Sequence, residues 1–108
     1  MKTTPNNSKP DKEMDLILET LKKEHLPGHP RARIEAIRYY PESIWIRVID
    51  PDYAKVHLTE RSDGLWNILF KHFSNKTINR IGALFCLAPK EMKRSKMSLE
   101  FDDPHPPE

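Results

Sequence analysis

The chain has 108 residues, of which 37% are hydrophobic and 31% are charged, and this composition predicts one small globular domain. Its 18 basic and 16 acidic residues nearly cancel to a net charge of +2, which does not favour the strongly basic class of nucleic-acid-binding domains. A single cysteine, Cys86, excludes both an internal disulfide and a cysteine-rich zinc site.

The sequence shows no signal for a membrane or an export pathway. No stretch reaches the roughly 18 consecutive apolar residues that a membrane-spanning helix requires. Residues 1–10 are polar and contain two prolines, so they do not resemble a secretory signal. We therefore expect a cytoplasmic protein without membrane association, in which residues 1–10 form a flexible arm.

The first predicted element is an amphipathic helix that begins after Asp11, its expected N-cap. Apolar residues recur at the spacing of one helical face: Met14, Ile17, Leu18 and Leu21. Two prolines and a glycine within residues 26–30 predict that the helix ends near residue 24.

Residues 33–40 and 43–49 are rich in β-branched and aromatic side chains, and only two residues separate them, which predicts a β-hairpin. In the second strand, alternation predicts one face formed by Ile44, Ile46 and Val48, and an opposite face formed by Trp45, Arg47 and Ile49. This pattern is typical of a strand covered on one side only.

A second amphipathic helix is predicted from about residue 59 and should pack on the sheet. Its apolar face comprises Leu65, Ile68, Leu69 and Phe73, and is widened by Trp66 and Phe70. Residues 76–80 predict a short helical turn. Residues 81–87 are continuously apolar and precede Pro89, which predicts a third strand covered on both faces.

The end of the chain is predicted to be irregular. Residues 90–96 can form about two solvated helical turns after Pro89. Residues 95–108 predict an extended, proline-rich acidic tail, whose start Leu99 and Phe101 could pin to the domain. The order α–β–β–α–(α)–β therefore predicts a single α+β domain over residues 11–94, with a three-stranded mixed sheet and helices on one face.

Several segments resemble the pattern of the BolA-like family over about residues 11–92. They are Asp50-Pro51-Asp52-Tyr53 after a strand, Thr59-Glu60-Arg61 at a helix start, Ile81-Gly82-Ala83-Leu84 in the third strand, and Pro89-Lys90-Glu91-Met92. The chain also resembles a group of short uncharacterised bacterial proteins of that pattern. This second likeness rests on Ala88-Pro89-Lys90-Glu91 and Leu99-Glu100-Phe101-Asp102-Asp103-Pro104.

The resemblance implies a BolA-like fold, which is similar to class II KH domains, and a non-enzymatic adaptor function. Members of the family pair with monothiol glutaredoxins around a shared [2Fe–2S] cluster, with a third-strand histidine as ligand. Gly82 and Ser62 stand where the family pattern has histidines. The resemblance therefore implies partner binding without cluster ligation at these positions. The likeness to KH domains implies nucleic-acid binding, but the sequence has no Gly-x-x-Gly loop.

Arginine and aromatic residues are interleaved around the hairpin, which is typical of surfaces that bind single-stranded nucleic acid or a protein. The candidate surface comprises Arg38, Tyr40, Trp45, Arg47 and Arg61. The alternative is an ordinary solvated sheet face, because alternation on a half-covered strand directs arginine outward without any ligand.

The histidines show no ligand spacing along a helix. His25 and His29 are four residues apart, but Pro27 and Gly28 break the helix that would align them. We expect exposed loop histidines, and the alternative is a metal site formed by His25, His29 and His57.

No set of residues in the sequence predicts catalysis. Cys86 lies in the apolar third strand, where we expect a buried thiol with a raised pKa and little reactivity. The carboxylates Asp50, Asp52, Glu60 and Asp63 are explained by turn formation and by the dipole of the following helix.

We therefore predict no catalytic residues, no cofactor and no enzymatic activity. The leading hypothesis is an adaptor that binds a protein partner through the hairpin and third strand. The alternative is a KH-like nucleic-acid-binding module, and the sequence leaves the oligomeric state open.

Overall fold

A mixed sheet of three strands in the order β1–β2–β3 organises the fold of the computed structural model, which describes residues 11–39, 42–92 and 101. The strands are β1 (Arg33–Tyr39), β2 (Ser43–Ile49) and β3 (Ile81–Leu87). β1 and β2 pair antiparallel as the predicted hairpin, whereas β2 and β3 pair parallel. The predicted α+β class with a mixed sheet is confirmed.

Three α-helices connect or flank the strands: α1 (Lys12–His25), α2 (Asp63–His72) and α3 (Asn75–Arg80). Asp11 caps α1 as predicted, because its Oδ1 accepts a hydrogen bond from the Met14 N–H at 3.0 Å. The second helix begins later than residue 59. Two 3₁₀ helices, Pro51–Lys55 and Leu58–Glu60, occupy the intervening chain.

The core lies between α1, α2 and one face of the sheet. The predicted inner face of β2 is confirmed, since Ile44, Ile46 and Val48 are fully buried. The helices contribute Ile17, Leu21, Leu65 and Leu69, which are also fully buried. Each such side chain stabilises the fold by about 1.5–3 kcal/mol through removal of apolar surface from water.

The prediction that the third strand is covered on both faces is confirmed in part. On the side of the helices, Leu84 and Cys86 are partly buried against the core, and only Gly82 of the strand is exposed. Within the described residues β3 pairs only with β2 and is an edge strand. On the face opposite the helices, Phe85 packs edge-to-face against Phe101, at 6.2 Å between ring centroids. Phe101 is 5% exposed, so one residue of the predicted tail packs against the domain.

Several expectations lie outside the described residues: the N-terminal arm, Tyr40, the helical turns beyond residue 92, and the tail other than Phe101. Across the part of the chain that the structure describes, no helix has both the length and the apolar character needed to cross a membrane.

Candidate functional site

The five residues of the predicted partner surface do not share one face of the molecule. Arg38 pairs in register with Ile44, whose side chain faces the helices, whereas Trp45 and Arg47 alternate to the opposite face. Arg61 lies before α2, and Tyr40 is outside the described residues. The hairpin therefore does not bring the predicted surface together.

Arg38 joins the hairpin to the first helix. Its Nε and Nη2 donate to the two carboxylate oxygens of Asp11 at 2.9 and 2.7 Å, and Nη1 donates to the Glu42 carbonyl at 2.9 Å. Glu13 extends this network to Arg80 of α3 at 2.6 Å. Hydrogen bonds from Arg38 and Arg80 hold the pKa values of Asp11 and Glu13 below their usual range.

Arg47 is buried, contrary to the expectation of an outward arginine on an open sheet face. The residue is 3% exposed, and its Nη2 lies 2.7 Å from Oε1 of Glu35, its register partner on β1. The guanidinium carbon also stacks 4.4 Å from the centroid of the Phe101 ring. The aromatic cover on this face explains why alternation alone mispredicted the exposure of Arg47.

Arg61 fixes the loop before α2 to the end of β3. Its guanidinium donates to both oxygens of Glu91, at 2.6 and 3.0 Å, and to the carbonyls of Val56 and Cys86. The hydrogen bonds that Arg61 donates to the Glu91 carboxylate raise the pKa of Arg61. The residue is 8% exposed, so this side chain serves the fold.

Trp45 belongs to a row of aromatic rings on the face opposite the helices. It stacks on Tyr39 at 4.1 Å between centroids and meets Phe85 edge-to-face at 5.7 Å. Such contacts stabilise the sheet beyond the burial of area alone. Of the predicted surface residues within the described chain, Trp45 is the only one without a charged side chain.

An apolar groove lies between α2 and α3. This α2–α3 groove has a volume of about 620 Å³ and is lined by Asp63, Trp66, Asn67, Phe70 and Ile78. Phe70 is 59% exposed and stacks on Trp66 at 5.8 Å between centroids. The prediction that Phe70 belongs to the face of α2 that packs on the sheet is therefore wrong, because helical periodicity does not show where the cover of a face ends.

A turn after α1 brings the first two histidines together. The Gly28 N–H donates to the His25 carbonyl, and the His29 N–H donates to the Leu26 carbonyl. As a result, the His25 and His29 rings stack with centroids 4.3 Å apart. The expectation that a broken helix keeps them apart is therefore wrong.

The partner of the two histidines is Asp50, the residue that follows β2. One oxygen of Asp50 and one ring nitrogen from each of His25 and His29 all lie within 4.8 Å of one another. The third histidine of the predicted alternative, His57, does not join this cluster: it is exposed, and its Nδ1 accepts a hydrogen bond from the Thr59 N–H.

Asp50 has a structural role through one oxygen only. Oδ1 accepts a hydrogen bond from the Asp52 N–H at 2.9 Å and caps the 3₁₀ helix Pro51–Lys55, as expected for a turn carboxylate. Oδ2 is buried without a hydrogen-bond partner, although His29 Nδ1 lies 3.2 Å away. The sequence placed Asp50 at a strand end, but nothing in it indicated that the end of α1 would lie beside it.

Cys86 lies in the third strand as predicted, but it is half-buried rather than buried. Burial raises the pKa of its thiol to about 11. The buried hydroxyl of Tyr53 interacts with this thiol, and burial also raises the pKa of Tyr53. A thiol in this state is a poor nucleophile at neutral pH.

Comparison of the chain with protein-family models, curated proteins and solved structures gave no match.

Proposed function

We propose that this domain is a non-enzymatic adaptor that binds an amphipathic helical segment of a protein partner in the α2–α3 groove. The observation that carries the proposal is the exposure of Phe70 beside Trp66 in a groove of about 620 Å³. Large aromatic side chains that line a concave surface are typical anchors of protein interfaces.

The negative charge of Asp63 at the groove indicates which side chains a partner would present there. Asp63 lines the groove and is exposed, and no cation of the described residues pairs with it. A helix that fills the groove with apolar residues at i, i+3 or i+4 would therefore place a lysine or arginine opposite Asp63. This complementarity favours a basic amphipathic segment.

The arginines favour this proposal over the KH-like alternative. Arg38, Arg47 and Arg61 each bind carboxylates of their own chain. A nucleic-acid phosphate would have to compete with these pairs, and breaking them would weaken the fold. The interleaved basic and aromatic pattern around the hairpin is accounted for by internal contacts.

The space around Gly82 concerns the hypothesis of a glutaredoxin-like partner that shares a metal cluster with this chain. A Cβ atom at Gly82 would overlap the Ser43 hydroxyl and would lie 3.4 Å from Nε1 of Trp45. A side chain at this position would therefore require Ser43 to move, whereas Trp45 would be in ordinary van der Waals contact. This supports an adaptor that engages its partner without a metal-cluster ligand on the third strand.

In-cell photocrosslinking with a benzophenone amino acid tests the proposal. A probe replacing Phe70 should crosslink to a discrete protein, and a synthetic peptide of the crosslinked segment should bind the purified protein. That binding should weaken in Asp63→Lys and in Trp66→Ala. The matched control is Leu58→Ser, which changes an apolar residue that is 68% exposed and does not line the groove.

Three results would overturn the adaptor function. The first is that the crosslinked segment binds Asp63→Lys and Trp66→Ala as tightly as it binds the natural protein. The crosslinked species could be a second copy of this chain, which would make the groove a dimer contact. No discrete crosslink at all would also count against a partner in this groove.

A further inference from the structure

The described residues contain four buried side-chain polar atoms without a hydrogen-bond partner, and three of them belong to one cluster: His25 Nε2, His29 Nδ1 and Asp50 Oδ2. Buried polar groups are almost always satisfied, because an unpaired group loses its hydration without compensation. His29 Nδ1 and Asp50 Oδ2 lie 3.2 Å apart, so these three atoms form one compact group of possible ligands for a cation.

We propose that His25, His29 and Asp50 bind one divalent first-row transition metal ion of the zinc class. Asp50 is 0% exposed, and the capping bond to its Oδ1 orients Oδ2 toward the histidines. A fully buried carboxylate oxygen is costly unless a cation neutralises it. Fixing a ligand through its second oxygen is also how proteins orient metal-binding side chains.

A metal ion satisfies the cluster more completely than a proton. One proton on His29 could pair with Asp50 Oδ2, but it would leave His25 Nε2 unpaired. Protonation of both rings would place two positive charges 4.3 Å apart, which Coulomb repulsion opposes. A single cation accepts one lone pair from each ring nitrogen and one from the carboxylate.

The distances between the three donor atoms fit a metal site once the side chains move slightly closer together. In a tetrahedral zinc site with bonds of about 2.0–2.2 Å, donor atoms lie roughly 3.3–3.6 Å apart. His29 Nδ1 and Asp50 Oδ2 are already 3.2 Å apart, and the widest separation in the cluster is at most 4.8 Å. Because stacked rings direct their lone pairs along parallel planes, one ring must rotate. The side chain of His29 is 41% exposed and has room to do so.

The donor set defines the class of ion. Two imidazole nitrogens with one carboxylate select zinc, cobalt, nickel, copper or iron over magnesium and calcium, which prefer oxygen ligands. Asp52 lies at the edge of the cluster, with its Oδ2 4.0 Å from His29 Nδ1. Its Oδ1 accepts a hydrogen bond from Arg31. Asp52 or water can complete the coordination.

The bound ion would join the end of α1, the following turn and the end of β2. His25 is the last residue of α1, and Asp50 is the first residue after β2, so the three ligands come from separate parts of the chain. Metal that binds only the folded arrangement stabilises it in proportion to the logarithm of ligand concentration. The site is independent of the α2–α3 groove, because the two share no residue.

Titration of the untagged, metal-stripped protein with Zn²⁺ in competition with a chromophoric chelator tests the site. We expect one Zn²⁺ per chain. His25→Gln and His29→Gln should each weaken binding by at least about tenfold, the loss caused by disturbing even outer contacts of a metal site. The matched control His57→Gln should bind as the natural protein does. Asp50→Asn, which retains an oxygen to cap the Asp52 N–H, should weaken binding while the protein stays folded.

Co²⁺ gives an independent readout, because its visible spectrum reports the ligands directly. We expect bands of nitrogen and oxygen coordination without the intense near-ultraviolet charge-transfer band of a thiolate, since Cys86 is not part of the cluster. Absence of zinc binding, binding unaffected by His25→Gln and His29→Gln, or binding lost in His57→Gln would each overturn the proposal. If Asp50→Asn does not fold, the two histidine variants decide the outcome.

Discussion

Arg61 and Glu91 form a two-pronged ion pair, with Nη1 to Oε1 at 2.6 Å and Nη2 to Oε2 at 3.0 Å. The pair connects the loop before α2 to the 3₁₀ helix after β3, and Glu91 Oε1 also accepts from the Ala88 N–H at 3.0 Å. Arg61 therefore holds two segments of this chain together.

Replacing Arg61 should destabilise the domain strongly. Arg61→Ala removes the guanidinium that donates to the Glu91 carboxylate and to two carbonyls, which should lower the free energy of unfolding by about 2–4 kcal/mol. Urea denaturation followed by circular dichroism measures the change. The control is Arg31→Ala: the side chain of Arg31 is 67% exposed in its pair with Asp52, so we expect a loss of less than about 1 kcal/mol. Equal losses in both variants would contradict the structural role of Arg61.

Stability should fall in acid because of the network around Glu13. The folded-state pKa values of Asp11 and Glu13 lie below 3.8 and 4.5, their ordinary values, owing to Arg38 and Arg80. Such groups contribute stability that is present above the ordinary pKa and is lost as pH falls through the folded-state pKa. The free energy of unfolding should therefore decrease as the pH is lowered from neutral through the folded-state pKa values of Asp11 and Glu13. In Glu13→Gln the free energy of unfolding should decrease less steeply with pH. If the free energy of unfolding of Glu13→Gln fell with pH as steeply as that of the natural protein, the stabilising role of Glu13 would be refuted.

Alkylation of Cys86 should be slow in the folded protein. With a pKa of about 11 against an ordinary value of 9.0, the thiolate fraction near pH 8 is on the order of a hundredfold lower than in the unfolded chain. The measurement compares iodoacetamide incorporation by mass spectrometry in native buffer and in urea. Similar rates in both conditions would show that the thiol is not held in this protonated state.

Single-stranded nucleic acid should not bind at micromolar protein concentrations. The arginines expected to contact it are occupied by carboxylates, so we predict flat fluorescence anisotropy with labelled random DNA and RNA at about 50 mM salt. The contrary result would be binding that weakens between about 50 and 200 mM salt and disappears in Arg33→Glu, whose side chain is 64% exposed on the hairpin. That outcome would support the KH-like alternative.

Local patterns predicted the elements of this fold well, because they depend on neighbouring residues. The spacing of Ile17 and Leu21 predicted the buried face of α1, and alternation predicted the buried face of β2. The environment of Arg47 was not predictable in this way. Its burial depends on Phe101, which is distant in sequence and covers the second face of the sheet.

The cluster of His25, His29 and Asp50 was not predictable from the sequence for a similar reason. The sequence showed that Pro27 and Gly28 end the helix, but the turn they form brings the His25 and His29 rings together. Asp50 joins them only because the end of β2 lies beside the end of α1 in the folded domain. A contact between such separate segments leaves no periodic signal in one sequence.

Anomalous diffraction at the zinc absorption edge, from crystals grown with one equivalent of Zn²⁺, tests the metal site most directly. The account predicts one strong peak within about 2.0–2.2 Å of a ring nitrogen of His25, a ring nitrogen of His29 and Oδ2 of Asp50. A peak at any other group of side chains, or no peak among these three residues, would contradict it.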